Sequence, residues 1–206
     1  MAAPIVGTAI AGPIGGKVLG SLAGAALGES EFEAEFEFES EGEFEGEGEA
    51  EMVHEISSRP ITEHEALAEM MADAAARTGR DSEAEAMTGA AVMTVLSARD
   101  RRALSALLPD LLRGASVLTR ILRRHKSTRH AVRAVPTIMR RSVRTLRRQA
   151  AQGRRPTRRS AALATAREVR RVLGSRRAMA TSLSRNMRTA RMVKRLHQRP
   201  LRRVRG

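Results

Sequence analysis

All four aromatic residues of this 206-residue chain, Phe32, Phe36, Phe38 and Phe44, fall inside one low-complexity stretch, and there is no Trp or Tyr anywhere. Large aromatic side chains supply much of the buried area of ordinary cores. A core elsewhere in this chain must therefore be assembled from Leu, Val, Ile, Met and Ala. Those residues suit helix packed on helix, so the expected fold class is mainly α.

Charge is sorted along the chain. Residues 1–110 hold 7 Lys+Arg against 22 Asp+Glu, a balance of −15, whereas residues 111–206 hold 30 basic residues and the single acid Glu168, a balance of +29. Such sorting points to an interaction tail or to self-neutralisation. Arg outnumbers Lys 34 to 3, and the planar guanidinium suits two-pronged contacts with phosphate or carboxylate. With no Cys, disulfides, thiolate zinc sites and a cysteine nucleophile are excluded.

Composition divides the chain into four parts. Within residues 1–28, Gly12, Gly16, Gly20, Gly24 and Gly28 recur at every fourth position. On a helix that spacing leaves a ridge without side chains, along which another backbone can approach closely. Pro4, Pro13 and Lys17 interrupt the run, and no basic region precedes it, so it makes a poor secretory signal. It reads as a helix-packing segment, as a signal-like segment or as a low-complexity leader. Cytoplasmic or membrane-associated placement is expected.

In residues 29–51 every odd position is Glu, twelve in all, with Phe, Ala, Ser and Gly between. The period is two, so in an extended strand all the Glu share one face and all the Phe the other. Twelve like charges oppose self-pairing, and the segment alone is expected to be disordered. It serves as an acidic linker, as a strand ordered once its charge is neutralised, or as a counter-charge for the basic half.

Residues 52–88 read as a helical connector. EHEALAEMMADAAAR (63–77) is rich in helix formers, Thr78, Gly79 and Arg80 break it, and Asp81 or Ser82 is placed to cap the next helix. Residues 89–206 read as a basic multi-helix region. Leu104, Leu107, Leu108, Leu111, Ala115, Leu118 and Leu122 form an apolar stripe, with Pro109 marking a kink or a fresh first turn. Val132, Val135, Met139, Leu146 and Ala150 line a second helix, beside Pro136, with Gly153 as its stop. Thr157 caps a helix carrying Leu163, Ala166, Val169, Val172 and Leu173 and ended by Gly174. Ser175 caps a last helix with Met179, Leu183, Met187, Ala190 and Val193, finishing before Pro200.

No catalytic pattern emerges. His64-Glu65 begins like HExxH, but position 68 is Ala, so the second zinc ligand is missing. The five His read as solvated surface residues, and no P-loop is present. No catalytic residue, metal ligand or cofactor site is assigned, and a non-enzyme is expected. The remaining chemistry is cationic. Arginine doublets Arg123-Arg124, Arg140-Arg141, Arg147-Arg148, Arg154-Arg155, Arg158-Arg159, Arg170-Arg171 and Arg176-Arg177 widen the polar face of each amphipathic helix. They are the expected contacts to a polyanion. No aromatic residue interleaves with them, which disfavours base stacking, so a nucleic-acid partner would be bound without sequence reading. An anionic membrane is the second partner such helices fit. Pairing with residues 29–51, within or between chains, and oligomerisation along the glycine ridge are further expectations.

Taken singly, the glycine ridge resembles glycine-zipper segments of membrane-associated bacterial proteins, and the Glu/Phe alternation resembles ionic self-assembling β-peptides. Their order, followed by Arg-rich helices, resembles uncharacterised bacterial proteins associated with phage-tail-like contractile injection systems. That resemblance implies a structural or accessory assembly role and no catalytic residues.

Overall fold

The computed structural model describes residues 46–198, and among these there is helix but no strand. Gly12, Gly16, Gly20, Gly24 and Gly28, and the Phe-bearing part of the acidic stretch, lie outside the described residues. Eight α-helices follow one another: α1 Gly46–Ser58, α2 Glu63–Arg77, α3 Asp81–Val95, α4 Ala98–Ala103, α5 Leu108–Arg123, α6 Val135–Ala151, α7 Arg158–Gly174 and α8 Arg176–Gln198. Two 3₁₀ turns, Ser105–Leu107 and Arg129–Ala134, precede α5 and α6.

Local chemistry sets most of these boundaries. Thr62 caps α2 through a reciprocal bond pair with Glu65, satisfying two of the donors a helix start leaves orphaned. Thr157 and Ser160 do the same for α7, and Ser175 Oγ accepts from the Ala178 N–H at the start of α8, 3.0 Å away. Pro109 and Pro136 each sit in the first turn of a new helix, where the missing N–H costs nothing. The α6 helix ends in a Schellman turn. Arg154 N–H reaches Gln149 O and Gly153 N–H reaches Ala150 O, both at 3.0 Å, with Gly153 at φ 77°.

Four local expectations fail. Met187 is exposed, because the inward face of α8 runs through Ser182, Arg185, Asn186 and Thr189. Asp81 lies inside the first turn of α3, whose cap, Arg80, makes no side-chain bond, and the Asp81 carboxylate is drawn instead to Arg123. Ala150 is exposed, in a last turn that leads out to the Gly153 turn. The closing residues of the alternating stretch, Gly46–Glu51, are helical rather than extended. There the four-residue spacing of Met52 and Ile56, 4% and 5% exposed, takes over, and burying that stripe offsets the roughly 1 kcal/mol each for Gly46 and Gly48 in a helix.

The helices enclose one aliphatic core that runs from Met52 in α1 through Val92, Leu118, Val132, Ile138 and Leu146 to Met179 in α8. The α2 helix packs on α3 and α8, α3 on α5 and α6, α6 on α7, and α1 on α8. Two glycines near these elements should respond oppositely to alanine, because in neither case would a Cβ meet anything within 4 Å. Gly114 lies inside α5, so Gly114→Ala should stabilise by up to about 1 kcal/mol. Gly153 holds the left-handed turn, so Gly153→Ala should cost roughly 1–2 kcal/mol. Urea midpoints that move in the same direction would contradict this assignment.

Candidate polyanion interface and the buried ion pairs beneath it

The α2 helix presents carboxylates at every fourth residue, Glu65, Glu69 and Asp73, and so on one face. That face points inward, with the three only 4%, 1% and 4% exposed. Arginines from distant helices meet them. Arg140 of α6 donates to Glu65 Oε1 at 3.0 Å and lies 3.5 Å from Glu69 Oε1. Arg185 of α8 donates to Glu65 Oε2 at 3.3 Å, and Arg133 donates to Asp73 at 3.1 Å. Asn186 donates to both the backbone carbonyl and Oε2 of Glu69, at 2.7 and 2.8 Å.

Other pairs repeat the theme of an early acid with a late arginine. Arg123, 3% exposed, donates to Ala75 O, Thr78 O and Asp81 Oδ1, each at 2.8 Å. It thereby closes the carbonyl end of α2, where a cation is favoured by the helix dipole. Arg141 bridges Glu168 and Glu55 at 2.6 Å each, and Arg144 pairs with Glu55 as well. Arg120 grips Glu85 with two parallel bonds of 2.9 Å. Arg147 and Arg158 reach Asp100 and Asp110 at 3.1 and 3.2 Å.

Burial and charge compete at these carboxylates. For Glu65 burial pushes the pKa up, but Arg140 and Arg59, with the Thr62 N–H, outweigh it and hold the group below its ordinary value. Glu55 is likewise held down, burial being outweighed by Arg141 and Arg144. Glu69 goes the other way. Its Oε1 accepts no hydrogen bond, and burial pushes its pKa above the usual range despite Arg140 and Arg185. Arg185 is itself pushed down by burial and by Arg140.

These directions fix a sign. The folded protein holds a proton on Glu69 more tightly than the unfolded chain, so this group's contribution falls as pH rises above about 4.3, the unperturbed Glu value. Glu55 and Glu65 contribute stability above about 4.3 that is lost on acidification. Relative to the parent, Glu69→Gln should therefore gain stability as pH rises above about 4.3. Urea midpoints for parent and variant that stay parallel above that pH would refute it.

The arginine doublets thus separate into two populations. Arg123, Arg140 and Arg141 were expected on the polar surface and are instead directed inward onto α2, α3, α1 and α7. Arg147, Arg158 and Arg171 are exposed but lean on Asp100, Asp110 and Glu168. Arg154 bonds its neighbour Gln152, Arg159 is exposed and Arg170 half-exposed. Arg124, Arg148, Arg155, Arg176 and Arg177 are exposed and make no ion pair with a described residue. Arg158-Arg159 and Arg176-Arg177 open α7 and α8, and neither helix has an acid in its first turn. That places cations where the helix dipole favours anions.

Among the described residues no group of His, Asp and Glu is set to hold a metal ion, and no helix is long and apolar enough to cross a membrane. His54, His64 and His125 are exposed. His130 is half-buried, and burial together with Arg133 lowers its pKa. No family model, curated protein or solved structure matches the chain.

Proposed function

We propose that the chain is a non-enzymatic protein that binds polyanions through its arginine surface, with duplex nucleic acid as the favoured ligand, held without sequence reading. One observation carries this reading. From residue 111 onward the only acid is Glu168, and it is 3% exposed, covered by Arg141 and Arg171. The surface that residues 111–195 contribute therefore has no exposed carboxylate to offset its cations. Arginine doublets at the starts of α7 and α8 add to it, since backbone N–H groups there also favour anions. Phosphate contacts of this kind position a duplex and carry no sequence information.

The test is the salt dependence of binding to two unrelated duplexes by the full chain. Each phosphate neutralised lowers the slope of log K against log salt by about 0.9. With five or more contacts the slope should be about −4 or steeper, and equal for both duplexes. A flat salt response, or a strong preference for one duplex, would overturn the reading.

A further inference from the structure

We infer that the alternating acidic segment Glu29–Glu45 is the resident partner of the arginine surface at the α7–α8 junction, with Arg176 and Arg177 at its centre. The inference concerns the same surface as the proposed polyanion binding, but it does not require that any nucleic acid occupies it.

Glu45 is joined directly to Gly46, the first residue of α1, and one turn later Glu49 accepts a hydrogen bond from Ser175 Oγ. Ser175 is the single residue between α7 and α8. The last residue of the acidic run is therefore four residues from a side chain fixed beside the first turn of α8. A tether this short gives an effective concentration of roughly millimolar or more.

Charge favours the same placement. The first turn of α8 carries Arg176 and Arg177, both exposed, and no acid, at the helix end whose dipole repels cations. Carboxylates brought alongside relieve both terms together. Glu29–Glu45 contains nine Glu, one at every second position. An alternating run presents its carboxylates along one edge when extended, so more than one can face the Arg176-Arg177 pair. Of the acids that follow the run, Glu49 accepts from Ser175 and Glu55 pairs with Arg141 and Arg144.

A synthetic peptide of residues 29–45 tests this without nucleic acid, so the two readings can fail separately. Its binding is measured by fluorescence anisotropy to the unmodified full chain and to the full chain with all nine glutamates from Glu29 to Glu45 replaced by Gln. The Gln chain should bind the peptide, with affinity that collapses as salt approaches about 0.5 M. The unmodified chain, its surface already occupied, should bind at least about tenfold more weakly. Adding Arg176→Gln and Arg177→Gln to the Gln chain should weaken binding, while Arg99→Gln on α4 should not. Equal binding to both chains, no binding to the Gln chain, or indifference to Arg176 and Arg177 would each overturn the inference.

Discussion

Arg185→Ala is expected to cost about 3–5 kcal/mol of unfolding free energy, the range for breaking one side of a buried ion pair. Arg185 is 2% exposed. It donates to Ile56 O and Arg59 O, at 3.1 and 2.8 Å, as well as to Glu65, so its removal orphans two carbonyls at the end of α1. It also leaves Glu65 and Glu69 buried with Arg140 as their one remaining guanidinium from the interior. Against a total of about 5–15 kcal/mol, that loss takes the protein close to unfolding at 37 °C or past it. Arg188→Ala, three residues on and exposed, is the control and should stay within about 0.5 kcal/mol. In a double-mutant cycle Arg185→Ala and Glu69→Gln should couple by about 0.5–3 kcal/mol. A urea midpoint for Arg185→Ala equal to that of the control would show that the buried charges are dispensable.

What the sequence disclosed and what it concealed divide by range. The Thr157 cap, the Ser175 cap, the Gly153 turn and the fresh starts at Pro109 and Pro136 are decided within a few residues, and each was legible. The core stripe Leu104, Leu107, Leu108, Leu111, Ala115, Leu118 and Leu122 was legible for the same reason, and all but the half-buried Leu108 are buried. The inward face of α2 was not. Glu65, Glu69 and Asp73 read as polar residues of an alanine-rich helix. Only arginines far along the chain turn that face from a solvated strip into a buried one. The four-residue recurrence of acids ahead of so basic a half was the available signal.

The doublets fail to sort from sequence by the same physics. Neighbours on a helix diverge by about 100°, so one member can turn inward while the other stays in water, as with buried Arg123 and exposed Arg124. On α6 both Arg140 and Arg141 turn inward. The α2 carboxylates stand on one side of that helix, while Glu55 and Glu168 stand on another. Much of the positive charge that made the chain look like a polyanion binder is consequently spent on its own fold. The part left for a partner is the exposed remainder.

That division makes the largest functional effect predictable. Replacing exposed Arg124, Arg148, Arg155, Arg176 and Arg177 together by Gln should leave the urea midpoint within about 1 kcal/mol of the parent, since isolated surface changes cost little. If all five touch phosphate, the salt slope for duplex DNA should flatten by about 4–5 units, and affinity near 0.1 M salt should fall by roughly a thousandfold or more. The buried arginines should behave in the opposite way. Arg140→Gln should lower the midpoint, yet the fraction that remains folded should bind DNA with nearly the parent slope. Binding that survives loss of the five exposed arginines, or that tracks folding stability instead of surface charge, would separate this basic half from polyanion recognition. It would leave the guanidiniums with one task, holding the acidic helices in place.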